Sequence, residues 1–220
     1  MPIQRHRVDF ESLPAETLEA WRTIAPAIAG DCMNRTNVMA ARIKPLAPGT
    51  QLVGQARTVT SMVGDNSALH VAIGLLRPGE VLVADAGGYV DTAVWGGIMI
   101  RAAQERGIAG IVVDGAVRDG AEIRELGFPC FASAIVPAGP HKGFGGIIDG
   151  VISCAGCPVR PGDIVLGDDD GVAVVPLERQ AEILAASLDK IAAEEAINAQ
   201  TKEGNLPGER MGLPEVEWID

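Results

Sequence analysis

Two short segments hold the residues best suited to chemistry. The first is Asp114-Gly-Ala-Val-Arg-Asp-Gly120. Adjacent Arg118 and Asp119 can divide the work of a site. A guanidinium forks a carboxylate through two parallel hydrogen bonds. A carboxylate oxygen suits a hard cation such as Mg²⁺, which keeps several waters and takes only one or two carboxylates. The same spacing also fits a plain turn in which Asp119 caps the short helix after it. The second segment is Val94-Trp-Gly-Gly-Ile-Met99, placed where a helix begins. Consecutive glycines bare the backbone N–H groups, and a helix start favours anions, so a carboxylate or enolate fits against Gly96, Gly97, Ile98 and Met99. The alternative is that Gly96 and Gly97 only let the helix pack closely on a strand.

Other candidates are weaker. Cys154 and Cys157 form a CxxC pair, but no second pair or HxxxH completes a zinc site. The chain then runs into a Pro-Gly turn rather than the helix of a redox motif, so both read as small buried residues at a strand end. Asp168-Asp169-Asp170-Gly171 lacks the alternating ligands of a calcium loop and reads as a solvated hairpin turn. His70 lies in an apolar helix and reads as a core histidine. His141 and Lys142 lie in a glycine-rich loop that could touch a substrate, with solvent as the default. No GxSxG, HExxH, phosphate-binding loop or dinucleotide fingerprint occurs.

These residues need a scaffold, and the bulk numbers bound it. The chain has 220 residues, 47% hydrophobic but only 4% aromatic, so its core is built from Val, Ile, Leu and Ala. A net charge of −11 and a pI of about 4.7 argue against nucleic-acid binding, which rests on basic residues neutralising phosphates. They leave room for a small anionic substrate gripped by a local Arg or metal. The N-terminal segment has no signal-peptide pattern, and no stretch approaches the ~20 apolar residues of a membrane helix. The expectation is a soluble, cytoplasmic protein with no nucleic-acid or membrane partner.

Apolar spacing predicts a helix over 16–29, with Leu18, Trp21, Ile24 and Ile28 on one face. A strand over 49–63 with a break at Gly54 follows, then a helix over 67–76, a strand over 80–85 and a helix over 98–106. The apolar run 108–113 predicts a strand buried on both faces, ending at Asp114-Gly115 before the loop that carries Arg118. Strands over 128–136, 147–153, 163–166 and 172–175 follow. A long helix from 177 to about 200 turns Ile183, Leu184, Leu188 and Ile191 inward, and an irregular arm ends the chain. Arg77-Pro-Gly-Glu80 and Arg160-Pro-Gly-Asp163 repeat one turn-and-strand device. The pattern predicts a mixed α/β fold in one domain, 1–220, with its core at about 20–176 and a helical extension over 177–220.

Taken together, WGGIMIRAAQERGIAGIVVDGAVRD, GDNSALHVAI, RPGEVLVAD and RPGDIVLGDDDGVAVVP resemble one family across roughly residues 20–200. It is the class II 4-hydroxy-4-methyl-2-oxoglutarate / 4-carboxy-4-hydroxy-2-oxoadipate aldolases, which share their family with the RraA regulator of ribonuclease E. The resemblance implies a swivelling β/β/α fold assembled as a homotrimer or homohexamer, with sites at subunit interfaces. It implies cleavage of a small oxoacid to pyruvate with Mg²⁺ or Mn²⁺, and oxaloacetate decarboxylation as a companion activity. By position, Arg118 binds the substrate carboxylate, Asp119 holds the metal through a shell of waters, and the backbone of Gly96, Gly97, Ile98 and Met99 meets the pyruvyl unit. Glu194, with Glu195 as the alternative, reaches a neighbour's site from the C-terminal helix. No Schiff base is needed, and Lys44, Lys142, Lys190 and Lys202 all lie outside the two central motifs. One position departs: where the aldolases usually carry an acid, this chain has Gly97, and Asp91, Tyr89 and Asp65 are the candidates to compensate. The alternatives are a related metal-dependent decarboxylase or hydratase, and a non-catalytic ribonuclease regulator.

Overall fold

The computed structural model describes residues 2–219; Met1 and Asp220, the ends of the expected domain, lie outside the described residues. In chain order the first half comprises β1 (Ile3–Arg5), α1 (Ala15–Arg22), α2 (Pro26–Cys32), β2 (Lys44–Pro45), β3 (Leu52–Ser61), α3 (Ser67–Ile73), β4 (Val81–Asp85), β5 (Ala93–Trp95) and α4 (Gly97–Glu105). The second half comprises β6 (Gly110–Val117), α5 (Gly120–Leu126), β7 (Cys130–Ile135), β8 (Gly146–Ile148), β9 (Ile152–Cys154), β10 (Cys157–Val159), β11 (Ile164–Asp168), β12 (Gly171–Val175), α6 (Gln180–Lys202) and α7 (Pro207–Arg210).

The main sheet runs β1-β8-β3-β4-β6-β7-β2, with β5 attached to β6 and the β11–β12 hairpin attached to β3. β3, β4, β6 and β7 are parallel neighbours, so each needs a crossover, and α3, α4 and α5 lie in those crossovers. Successive residues point to opposite faces. On one face Leu82, Ala84, Ile111 and Val113 meet Leu69, Ile100 and Ile123 from the three helices. On the other, Val81, Val83 and Val112 meet Cys154, Val159, Val165 and Val174 from the second strand layer. A third cluster under α1, α2 and α6 joins Trp21, Ala29 and Ile183 to Ile164 and Leu166. The result is a mixed α/β fold of strand, strand and helix layers with a C-terminal helix. Among the described residues no helix is long and apolar enough to cross a membrane.

β3 shows why the sheet bends. Leu52 to Gln55 pair with β11, and Ala56 to Thr60 pair with β4, so one strand serves both strand layers. Gly54, expected to break the strand, instead lies within it. A Cβ there would stand 2.5 Å from the Gly79 carbonyl oxygen, so glycine admits a close backbone approach.

Several expected boundaries move. The helix over 16–29 is two helices, because Pro26 cannot continue the first and starts the second. The strand over 147–153 is two short strands, separated where Asp149 takes a positive φ of 63°. β6 does not end at Asp114 but runs on to Val117, with a register shift between Val113 and Ala116 against β7. In α6, Ile183 is buried and Leu184 and Ile191 pack on the third cluster, but Leu188 is 48% exposed rather than inward. The arm contains one helical turn, α7. The repeated Pro-Gly device is real locally. Glu80 accepts from the Arg77 N–H at 2.7 Å, and Asp163 from the Arg160 N–H at 2.8 Å.

Candidate functional site

The two glycine and arginine segments meet because β5 pairs with β6, setting Ala93 beside Ala116 and Trp95 beside Val117. The Arg118 N–H donates to the Trp95 carbonyl at 2.9 Å, which locks the end of β6 to the start of α4. Asp119 follows in the left-handed region (φ 61°), which a short polar side chain tolerates better than others. It stands at the N-cap of α5, as the turn reading predicts, yet its side chain makes no cap bond. Its Oδ2 accepts the Gly97 N–H at 2.9 Å instead, with the Arg118 Nε 3.6 Å away. The Arg118 and Asp119 side chains are 41% and 39% exposed.

The glycines serve these side chains rather than helix packing alone. A Cβ on Gly96 would lie 2.7 Å from Asp119 Oδ2 and 2.9 Å from Arg118 Cγ. One on Gly139 would lie 2.7 Å from Arg118 Nη1. One on Gly97 would overlap the Glu122 carboxylate, 2.6 Å from its Cδ. Of the four backbone N–H groups expected to meet a ligand, that of Gly97 is taken by Asp119 and that of Met99 points to the Gly96 carbonyl at 3.0 Å.

Arg118, Gly96, Ile98 and Met99 line a cleft whose other walls are Asn66, His70, Trp95, Pro140 and Lys142. Ile98 is 76% exposed at its rim. One sequence expectation fails here. His70 is not in the core: Ala68, Leu69, Ala72 and Ile73 fill the buried face of α3, which leaves His70 outward. Partial burial at the cleft wall and the nearby Lys142 ammonium both push its imidazole below the ordinary value of 6.5. Lys142, remote in sequence, reaches the cleft because the 141–144 loop is tied down at several points. His141 donates its N–H to the Gly64 carbonyl at 2.8 Å, and Asp65 accepts the Phe144 N–H at 3.1 Å and the Ser67 N–H at 2.9 Å. Burial works to raise the Asp65 carboxyl, but these bonds outweigh it and hold it below the usual range. Asp65 is thus spent on the loop and does not stand in for an acid at 97.

The buried Trp95 Nε1 and Asn66 Oδ1 have no hydrogen-bond partner among the described residues, and leaving such groups unmet costs about 1–3 kcal/mol each. Asp114, by contrast, is fully employed. It takes a bidentate fork from Arg42 at 3.0 and 2.8 Å, the Ala155 N–H at 2.8 Å and the Ser133 hydroxyl at 3.1 Å. It ties β6 to the β9–β10 turn.

The remaining candidates fall elsewhere. Glu194 pairs with Lys190 at 3.2 Å, and Lys190 also reaches Asp31 on α2. No described hydrogen bond or ion pair joins Glu194 or Glu195 to Arg118 or Asp119 within one chain. Cys154 and Cys157 face each other across the β9–β10 pairing as free, buried thiols. Burial pushes both up, Cys157 to about 12. The triple-Asp segment is the expected hairpin turn, with Asp169 accepting the Gly49 N–H at 2.9 Å.

The oxygen donors near Gly97 that a hard cation would use are Asp119 and Glu122. The described residues contain no cluster of three or more His, Cys, Asp and Glu side chains. Two carboxylates, Asp119 and Glu122, flank the glycine cradle at Gly97. An all-oxygen pair suits a hard ion that keeps much of its water.

Comparison with known proteins agrees with this geometry. The RraA-like family (Aldolase/RraA) matches residues 23–174. A Halalkalibacterium halodurans protein provisionally named 4-hydroxy-4-methyl-2-oxoglutarate aldolase is 40% identical over 176 residues, 80% of this chain and 84% of that one. The Thermus thermophilus 4-hydroxy-4-methyl-2-oxoglutarate aldolase is 36% identical over 57% of this chain and 76% of its own. Among solved structures, Streptomyces coelicolor RraAS2, titled a member of the RNase ES inhibitor RraA family, superposes with a TM-score of 0.76 at 28% identity, covering 85% of this chain and 98% of that one. With the family model matched over residues 23–174, this chain belongs to the RraA-like family (Aldolase/RraA).

Proposed function

We propose that the chain is a divalent-metal-dependent lyase that cleaves 4-hydroxy-4-methyl-2-oxoglutarate or 4-carboxy-4-hydroxy-2-oxoadipate to pyruvate and a second oxoacid, with oxaloacetate decarboxylation as a side activity. The observation that carries this reading is the half-exposed Arg118–Asp119 pair, seated over Gly96 at a cleft that has a second cation, Lys142, on its wall. Arg118 grips the pyruvyl carboxylate through its fork. Lys142 offers a second positive charge to the other carboxylate of a dicarboxylic substrate. Asp119 holds Mg²⁺ or Mn²⁺. When bound, such an ion supplies Lewis-acid stabilisation of the negative charge that develops as the carbon–carbon bond breaks. A homotrimer or homohexamer would bring Glu194 of a neighbouring copy to this site.

Metal-stripped protein offered each hydroxy diacid and oxaloacetate tests the proposal. Pyruvate release restored by Mg²⁺ or Mn²⁺ supports it. Release that ignores chelator, together with inactivation by borohydride in the presence of pyruvate, would transfer the chemistry to a Schiff base on Lys142. A ribonuclease-regulating reading draws on neighbours such as the RNA-processing inhibitor RraA of Thermus (TM-score 0.63, 32% identity, 69% of this chain and 92% of that one). It predicts ribonuclease inhibition with no oxoacid turnover.

A further inference from the structure

Asp119 and Glu122 sit three residues apart at the start of α5, the arrangement in which a cap residue and a following Glu ordinarily satisfy the helix's own N–H groups. Neither does so here. The Asp119 side chain makes no cap bond and turns to the Gly97 N–H. The Glu122 carboxylate turns to the same residue from the other side. It occupies the volume a Gly97 side chain would fill, with Cδ 2.6 Å and Oε2 2.7 Å from an ideal Cβ position. Any side chain at 97 would have to expel it. A glycine at the first position of α4 costs helix stability relative to other residues, and here its absent side chain is what admits the carboxylate. Glu122 is only 34% exposed, and its described partner is the Arg101 guanidinium on α4, itself 60% exposed.

We propose that Glu122 is the second carboxylate of the cation site at Asp119: it reaches through the gap left by Gly97 and anchors the ion's waters from the far side. This rests on the cation assigned to Asp119 under the proposed function. Gly97 and Glu122 are then linked, because a side chain at 97 would displace the Glu122 carboxylate from its present place. Glu122 acts as a positioning residue for the ion, and its ion pair with Arg101 is incidental to that role.

Direct Mn²⁺ binding, followed by electron paramagnetic resonance of the free ion, tests this without reference to turnover. Glu122→Gln, nearly isosteric and partly exposed, is expected to weaken Mn²⁺ about tenfold, in the range seen when a group that orders metal ligands is removed. Gly97→Asp combined with Glu122→Ala, which vacates the volume at position 97, is expected to regain affinity to within about threefold of wild type, as a relocated acid should. Arg101→Gln separates this role from a plain ion pair, since it breaks the pair while leaving the carboxylate, and Mn²⁺ affinity is expected to hold within about threefold. Glu122→Asp covers the case in which Glu122→Gln does not fold, and retention of most affinity is the expected result. Glu122→Gln at wild-type affinity, while Asp119→Ala abolishes binding, would overturn the inference and leave the proposed function standing. Unchanged binding in Asp119→Ala would overturn both.

Discussion

Two arginine–aspartate constellations in this chain use the same residue types for opposite ends. Around Arg57 the groups are buried and met but for one oxygen, Glu80 Oε1, which has no hydrogen-bond partner among the described residues. Its Nε and Nη2 fork Asp149 at 2.7 Å each, and Nη1 reaches Glu80 at 2.9 Å and the Leu75 carbonyl at 3.2 Å. Arg5 adds a bond to Asp149 at 2.8 Å. The Arg57 and Asp149 side chains are 2% and 0% exposed. Around Arg118 the partner Asp119 is 3.6 Å away, both groups are about two-fifths exposed, and three neighbouring glycines keep space open. The first arrangement joins β3, the end of α3, the start of β4 and the β8–β9 turn. The second leaves hydrogen-bonding capacity for a ligand. Completeness and burial, rather than residue identity, separate a structural ion pair from a site.

The sharpest way to break this comparison is to remove each arginine. Arg57→Ala leaves Asp149 and Glu80 buried and short of a partner and is expected to cost about 3–5 kcal/mol in urea unfolding. Arg118→Ala is expected to change stability by less than ~1 kcal/mol. It should lower pyruvate release by about 10²–10³-fold, as loss of a preorganised charge donor does. Similar unfolding midpoints for the two variants would erase the distinction. Gly54→Ala comes next. Its Cβ meets backbone rather than a movable side chain, so a loss of roughly 1–3 kcal/mol is expected.

Acid titration sharpens the contrast further. Burial works to raise Asp149 and Asp114, but the Arg57 and Arg5 bonds at one and the Arg42 and Ala155 bonds at the other outweigh it, so both lie below the ordinary value of 3.8. The unfolded chain therefore takes up protons first. The stability these carboxylates confer is complete above that ordinary value and is lost as pH falls through the lower folded values. Unfolding midpoints should hold from neutrality to about pH 5 and drop below about pH 4. A profile flat to pH 3 would contradict the assignment. The smallest effect concerns the buried cysteines. Buried thiols raised to about 12 at Cys130 and Cys157 should resist alkylation in native protein, with Cys32 the first to react.

Much of the frame was legible in the chain because it is written in short-range patterns. The parallel strands show as apolar runs, and the two Pro-Gly turns show as repeated capping carboxylates at Glu80 and Asp163. Arg118 and Asp119 were legible because two adjacent charges interrupt an apolar strand before a glycine. What failed depends on long-range packing. His70 could not be placed because helical spacing gives a face but not what covers it. Lys142 is exposed as its loop suggested, but its place on the cleft wall rests on the Asp65 clamp, which joins residues 79 positions apart. Glu122 gave no signal of its own as an exposed-looking residue in a charged helix. The one available clue was its spacing of three from Asp119, which pointed to a capping pair instead.

The central claim is that Arg118 and Asp119 form the reacting site and that a divalent ion completes it. Titrating Mg²⁺ into metal-stripped wild type, Arg118→Ala and Asp119→Asn while following pyruvate from 4-hydroxy-4-methyl-2-oxoglutarate tests it most directly. The account predicts saturable activation of the wild type, little or no activation of Asp119→Asn at any Mg²⁺ concentration, and activation of Arg118→Ala to a rate at least about a hundredfold lower. Full Mg²⁺-activated turnover in Asp119→Asn would contradict it.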